Sequence, residues 1–189
     1  MAGKKTSLPI LQILVSVKGV EPRIWRRMIV RPDLTLARLH KVLQILMGWS
    51  DSHLYDFIAG QRRYSPPNRE NPDYEKHGSV GTKVSSMYVN GIEAITYEYD
   101  FGDKWEIDVR LEAKVNDLKQ KNYAICTDGG RHGPVEDSGG PRGYMEKIEV
   151  LKNPKHKRNL QVREWIGADF DPEEFDLIEV NKMLKEIEK

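Results

Sequence analysis

The residues best suited to chemistry fall into clusters of groups that hold cations or move protons. The segment Tyr97-Glu98-Tyr99-Asp100-Phe101-Gly102-Asp103-Lys104-Trp105 sets carboxylates among aromatic rings. Glu98, Asp100 and Asp103 could share a metal, or act as an acid and base pair if burial separated their pKa values. His40, Asp51, His53 and Asp56 offer imidazole and carboxylate ligands of the kind accepted by zinc, iron or manganese, at no standard motif spacing. Cys126, Asp128, His132, Glu136 and Asp137 gather a thiol, an imidazole and carboxylates in one short stretch.

Each cluster also has a structural reading, which the residue types favour. Asp100 and Asp103, with Gly102 between them, are what a tight turn requires. His40 follows Leu36 by four residues and precedes Leu43 by three, on the apolar face of a helix, where histidine is more often hydrogen-bonded in a core than a ligand. A single cysteine excludes a paired-cysteine zinc site, and a lone thiol is more often buried than activated by a neighbour such as His132. A divalent metal is compatible with the sequence but not favoured, its weak candidates being His40, His53, Asp100 and Asp103. Asp100-Phe101-Gly102 matches the kinase magnesium triplet without the glycine-rich loop or His-Arg-Asp motif that would give it meaning. Gly139-Gly140-Pro141-Arg142-Gly143 has no following Lys-Ser or Lys-Thr, so it is no Walker loop.

A further group is basic: Arg23, Trp25, Arg26, Arg27, Arg31, Arg38 and Lys41 could grip phosphates and stack a base. On a strand, however, Arg26 shares a face with Ile24, Met28 and Val30. That predicts an interior guanidinium in need of a carboxylate, with Asp56, Asp100 or Asp103 as candidates, while Arg27 and Arg31 face solvent. Residues 1–50 carry a net charge of +7 and the remainder −6, a polarity that favours attraction within the molecule over nucleic acid binding.

The elements that must position these groups follow from periodicity. Residues 10–18 and 24–31 read as a β-hairpin about the turn Gly19-Val20-Glu21-Pro22. Asp33 or Thr35 caps an amphipathic helix running to about Met47, with Leu36, Leu39, Leu43 and Met47 on one face and Gly48 as the stop. Residues 53–59 form a third strand and 60–81, with three prolines, a long surface loop. From Trp105, strict alternation through Ile107, Val109 and Leu111 marks a strand wet on one face. Six glycines in residues 126–143 predict an irregular loop. Helical character returns near Tyr144 and over 160–166, and a terminal helix is expected from Asp171-Pro172. The reading is an α+β fold, mainly antiparallel sheet, with residues 1–9 as a tail and 10–189 as a single domain.

Five segments in order, residues 20–27, 36–40, 48–54, 97–105 and 136–140, together resemble the plasmid pRiA4b ORF-3-like family over about residues 10–185. The resemblance implies an α+β fold and association with plasmids and mobile elements, and implies no reaction or catalytic residue. Gly133 and Ser138 stand where many relatives carry additional cysteines, which weakens a metal or redox role for the loop that contains Cys126.

No apolar run approaches the length of a membrane span, and Leu8 to Val15, despite Lys4 and Lys5, lacks a signal cleavage site. With one cysteine and no intrachain disulfide, a soluble cytoplasmic protein is expected. The preferred function is a binding or interaction module for an unidentified protein or small ligand, with a groove formed by Trp25, Arg26, His40, Trp49, His53, Tyr99, Asp100, Asp103 and Trp105. The alternatives are a metal-dependent hydrolase or nuclease using His and Asp ligands, and a nucleic-acid-binding protein.

Overall fold

Alternating burial along the N-terminal strands sets the architecture: Leu11, Ile13, Val15 and Val17 turn inward while the residues between them stay partly wet. The computed structural model describes residues 9–66, 77–115 and 122–187. Its strands are β1 (Ile10–Val17), β2 (Trp25–Val30), β3 (Tyr55–Ala59), β4 (Arg62–Ser65), β5 (His77–Gly78), β6 (Ala94–Tyr99), β7 (Trp105–Val115) and β8 (Ala124–Gly130). They form one sheet in the order β5-β4-β3-β6-β7-β1-β2-β8, antiparallel throughout except for β4 beside β5. The helices are α1 (Leu36–Met47), α2 (Val84–Val89), α3 (Gly140–Lys152), α4 (Asn159–Ile166) and α5 (Leu177–Glu186), giving an α+β fold. Apolar residues of the helices and of the inward sheet face make one continuous core. No helix among the described residues is long and apolar enough to cross a membrane.

The N-terminal hairpin pairs as expected, with Leu11 opposite Val30 and Ser16 opposite Trp25. Thr35, rather than Asp33, caps α1 by accepting from the Arg38 amide, and Gly48 ends the helix in the left-handed conformation that glycine adopts without strain. The hairpin around residue 100 also forms: β6 pairs with β7, Tyr99 opposite Trp105, and Tyr97 and Tyr99 share the buried face.

Three expectations are corrected. Residues 126–130 belong to β8 rather than to an irregular loop. A side chain at Gly129 would lie 2.5 Å from the Phe175 ring and one at Gly130 2.9 Å from Trp25 Nε1, so these glycines make room for neighbours on the sheet. Part of the expected 60–81 loop is β4 and β5, and its residues 67–76 lie outside the described residues. The last helix begins at Leu177, capped by Asp176; Asp171 instead organises a turn by accepting from the Glu173 amide, and Arg131 holds the Glu173 carboxylate.

A polar knot is built into this core. The Tyr97 hydroxyl, fully buried on β6, accepts from Gln44 Nε2 at 2.9 Å and lies 2.7 Å from His40 Nδ1, while His40 Nε2 lies 2.8 Å from Asp51 Oδ1. A neutral imidazole with its proton on Nε2 satisfies all these contacts, Tyr97 donating to Nδ1. Tyr97→Phe removes the shared hydroxyl and should lower stability by about 1–3 kcal/mol, the penalty of stranding buried polar partners. Urea unfolding with an unchanged m-value measures it; an unaltered midpoint would show that the knot adds nothing.

Candidate functional site

Three segments distant in sequence meet at one end of the sheet: the turn after α1 (48–54), the β6–β7 turn (100–104) and the loop before α3 (131–139). The aromatic side chains beneath them explain why. Trp49 stacks on Tyr99 at 4.7 Å between ring centroids and donates from Nε1 to the Pro134 carbonyl at 2.7 Å. The Tyr99 hydroxyl accepts from the amides of Ser52 and His53 and donates to Glu136 Oε1 at 2.6 Å. Burial, and then the Glu136 carboxylate, push Tyr99 up to about 12, so it stays a neutral donor near pH 7. Glu136 Oε2 accepts from the Ser50 amide and hydroxyl, closing the link between the first and third segments.

The second segment is tied to the third through Asp103, whose Oδ2 accepts from the Gly139 amide at 2.9 Å. Asp100 shapes the turn itself, Oδ1 accepting from the amides of Gly102 and Asp103. Its other oxygen, Oδ2, faces His53 Nε2 at 3.7 Å, and Asp137 Oδ1 approaches the same nitrogen at 3.4 Å. His53, Asp100 and Asp137 thus bring one ligand atom each to within 4.8 Å of one another. Asp100 and Asp137 both hold positive φ, 54° and 56°, an uncommon state for a residue other than glycine. Exposure is graded: the side chain of Asp100 is 13% exposed, that of His53 29% and that of Asp137 75%.

A metal held by imidazole and carboxylate at about 2.0–2.2 Å in tetrahedral geometry separates its ligands by about 3.3–3.6 Å. The His53 distances to both carboxylates are close to that spacing, so little movement is needed to receive a cation. Beside the cluster, and sharing Asp100 with it, opens a cavity of about 500 Å³. Its wall carries Lys104 and Arg63, the latter already paired with Asp56 and Glu98.

Of the residues singled out in the sequence, His53 and Asp100 meet here, whereas His40 belongs to the core knot and Asp103 to the Gly139 amide. Trp49, Tyr99 and Trp105 are buried and form the floor beneath the three segments rather than an open groove. Trp25 lies on the opposite face of the sheet from Arg26, its ring flanked by Arg23 and Arg27. Arg26 is buried as expected, but its donors reach backbone carbonyls of Leu46, Trp25 and Gly130 instead of Asp56, Asp100 or Asp103. Those acids have other partners: Asp56 takes Arg63 and Ser65. The Cys126 thiol is buried, which raises it to about 11, and it donates to the Asp128 carbonyl, the setting of an inert structural cysteine. Proximity in sequence groups Asp137 with Cys126 and His132; its placement beside His53 depends on the Trp49–Pro134 and Tyr99–Glu136 contacts, which no local pattern reveals.

The sequence profile described as plasmid pRiA4b ORF-3-like protein matches residues 9–179. The chain belongs to the pRiA4b ORF-3-like family. It is 33% identical over 179 residues to the uncharacterized protein y4hQ of Sinorhizobium fredii (strain NBRC 101917 / NGR234), covering 94% of this chain and 92% of that one. The crystal structure of MM3350, a protein of unknown function from Methanosarcina mazei Go1, superposes with a TM-score of 0.83 at 35% identity, covering 92% of this chain and 98% of that one. Most of this family member, including all three site segments, lies within the matched residues.

Two outcomes test the arrangement. Burial lowers the His40 pKa below the usual 6.5, so its contribution to stability is complete above that value and is lost as pH falls toward the depressed folded value. An NMR titration should show His40 protonating below 6.5, and one protonating above it would contradict the neutral knot. Gly140→Ala places a methyl 2.1 Å from the Asp103 carbonyl oxygen at a φ of +67°. It should separate the loop from the β6–β7 turn, seen as loss of amide protection at Gly139; retained protection would refute the close fit.

Proposed function

We propose that this chain is a divalent-cation-binding module, with His53, Asp100 and Asp137 as ligands and an oxygen-donor group of a protein or small molecule completing the coordination. The convergence of these ligand atoms from three separate segments supports the reading most directly. One imidazole with two carboxylates suits zinc, manganese or iron. Three protein ligands with an exposed outer member leave positions open to a further ligand.

Binding is favoured over hydrolysis by the state of the neighbouring acid. Glu136 has both oxygens engaged by Tyr99 and Ser50, so it does not stand ready as a general base. Nucleic acid is disfavoured because the two cations expected to face solvent, Arg27 and Arg31, already have acidic partners. Arg27 is paired with Glu112 and lies 3.7 Å from Asp128, and Arg31 is paired with Asp33.

Chelator-stripped protein titrated with Zn²⁺ or Mn²⁺ should take up one equivalent by calorimetry. His53→Ala and Asp137→Asn should each weaken uptake at least about tenfold, the scale of losing a direct ligand or its close support. Asp128→Asn, at a residue that faces Arg27 and is no member of the cluster, should leave it unchanged. Absence of saturable uptake, or uptake indifferent to His53→Ala, would end the proposal.

A further inference from the structure

Among the described residues no carboxylate forms an ion pair with Arg26. Arg26 is 1% exposed, and burial lowers its pKa to about 10, so the guanidinium remains charged near neutrality. Nε donates to the Leu46 carbonyl at 3.3 Å, and Nη1 donates to the carbonyls of Trp25 and Gly130 at 2.8 and 2.9 Å. Nη2 has no hydrogen-bond acceptor among the described residues. The Phe175 ring covers the guanidinium, its centroid 4.0 Å from Cζ. The neighbouring Cys126 thiol, pushed up to about 11 by burial, is neutral near pH 7 and supplies no negative charge. A buried charge without an opposite partner is costly unless something else supplies one.

Arg26 also lines a cavity of about 340 Å³ between the end of α1 and the start of α5. The volume lies in the range of small-molecule sites, roughly 300–1,000 Å³. Its walls are mainly apolar, with Ile45, Met47, Phe175, Val180 and Met183 around the one buried cation. Acids occur only at the exposed rim. Three line it: Asp176 is committed to capping α5, Glu179 is paired with Lys182, and Glu174 is exposed to solvent. A rim of this sign repels a dianion such as phosphate more than a single carboxylate.

We propose that this cavity binds an amphipathic monocarboxylate, its acid group paired with Arg26 and its apolar body against Met47, Val180 and Met183. The same chemistry is offered by a free aliphatic acid and by the C-terminus of a peptide with apolar last residues. Planar donors at the base and apolar walls above them serve either source.

The probes are octanoate, octanol, and Ala-Leu-Phe as free acid and as amide, observed by calorimetry and by ¹³C-methyl signals of Met47 and Met183. Octanoate should bind saturably, shift both methyls and exceed octanol at least about tenfold, as expected when a charge-assisted pair is formed. Preference for the peptide acid over its amide would assign the site to chain termini, and binding of octanoate alone would assign it to free acids; both support the proposal. Arg26→Met should abolish the preference for octanoate over octanol. Met183→Trp, at the exposed mouth, should block octanoate without disturbing the buried guanidinium, which keeps the test decisive if Arg26→Met fails to fold. Equal affinity for octanoate and octanol, or octanoate binding unchanged by Met183→Trp, would overturn it.

Discussion

The Tyr99 hydroxyl joins two of the three segments of the candidate site, because it accepts from the 48–54 turn and donates to Glu136 in the loop before α3, and the third segment follows Tyr99 directly in the chain. Its own position is fixed by the sheet: Tyr99 ends β6 opposite Trp105 and lies fully buried beneath Trp49. A hydroxyl held by a β-strand is a better anchor for loops than a contact between loops, since its backbone is already fixed by ladder hydrogen bonds on both sides. This is why three segments without regular structure can bring His53, Asp100 and Asp137 together. The left-handed backbone of Asp100 and Asp137 then requires that anchoring. A strained conformation persists only where the surroundings over-determine it, at a cost of about 1–3 kcal/mol each.

Arg26 and His40 show two ways of placing a titratable group in the same core. His40 is held neutral, with Tyr97 and Asp51 meeting its two nitrogens and Tyr55 stacked at 3.7 Å, so burial costs it little. A guanidinium cannot escape in this way, because deprotonation near neutral pH is closed to it. The protein instead surrounds Arg26 with carbonyl dipoles and an aromatic face, which reduces the cost of burial without cancelling the charge. The difference makes His40 a structural residue and Arg26 one that still calls for an anion.

What the sequence disclosed follows the range of the forces involved. The α1 helix, its stop at Gly48, the N-terminal hairpin and the 97–105 hairpin are set by local periodicity and turn chemistry, and all four form. The inward direction of Arg26 was legible from strand alternation, yet its partners were not, because Phe175 and Gly130 arrive from far along the chain. The same holds for β8. Its glycines carry the local signature of a loop, while their real constraint is the space claimed by Phe175, Arg26 and Trp25. His53 and Asp100 were recognisable as ligands by type, but pairing them with Asp137 required the tertiary contacts of Trp49 and Tyr99.

The two candidate sites share a wall. Met47 and Gly48 line the Arg26 cavity, and the chain continues directly through Trp49 to Ser52 and His53; opposite them, His132 and Gly133 line the cavity and the same loop continues to Glu136 and Asp137. The two strips are pressed together with no slack, since a methyl at Gly133 would lie 2.1 Å from the Met47 carbonyl oxygen. An occupant of the cavity and a cation at His53 and Asp137 would therefore bear on the same two strips. Linkage makes any such effect on binding equal in both directions. The contact between Gly133 and Met47 is the element through which it would pass.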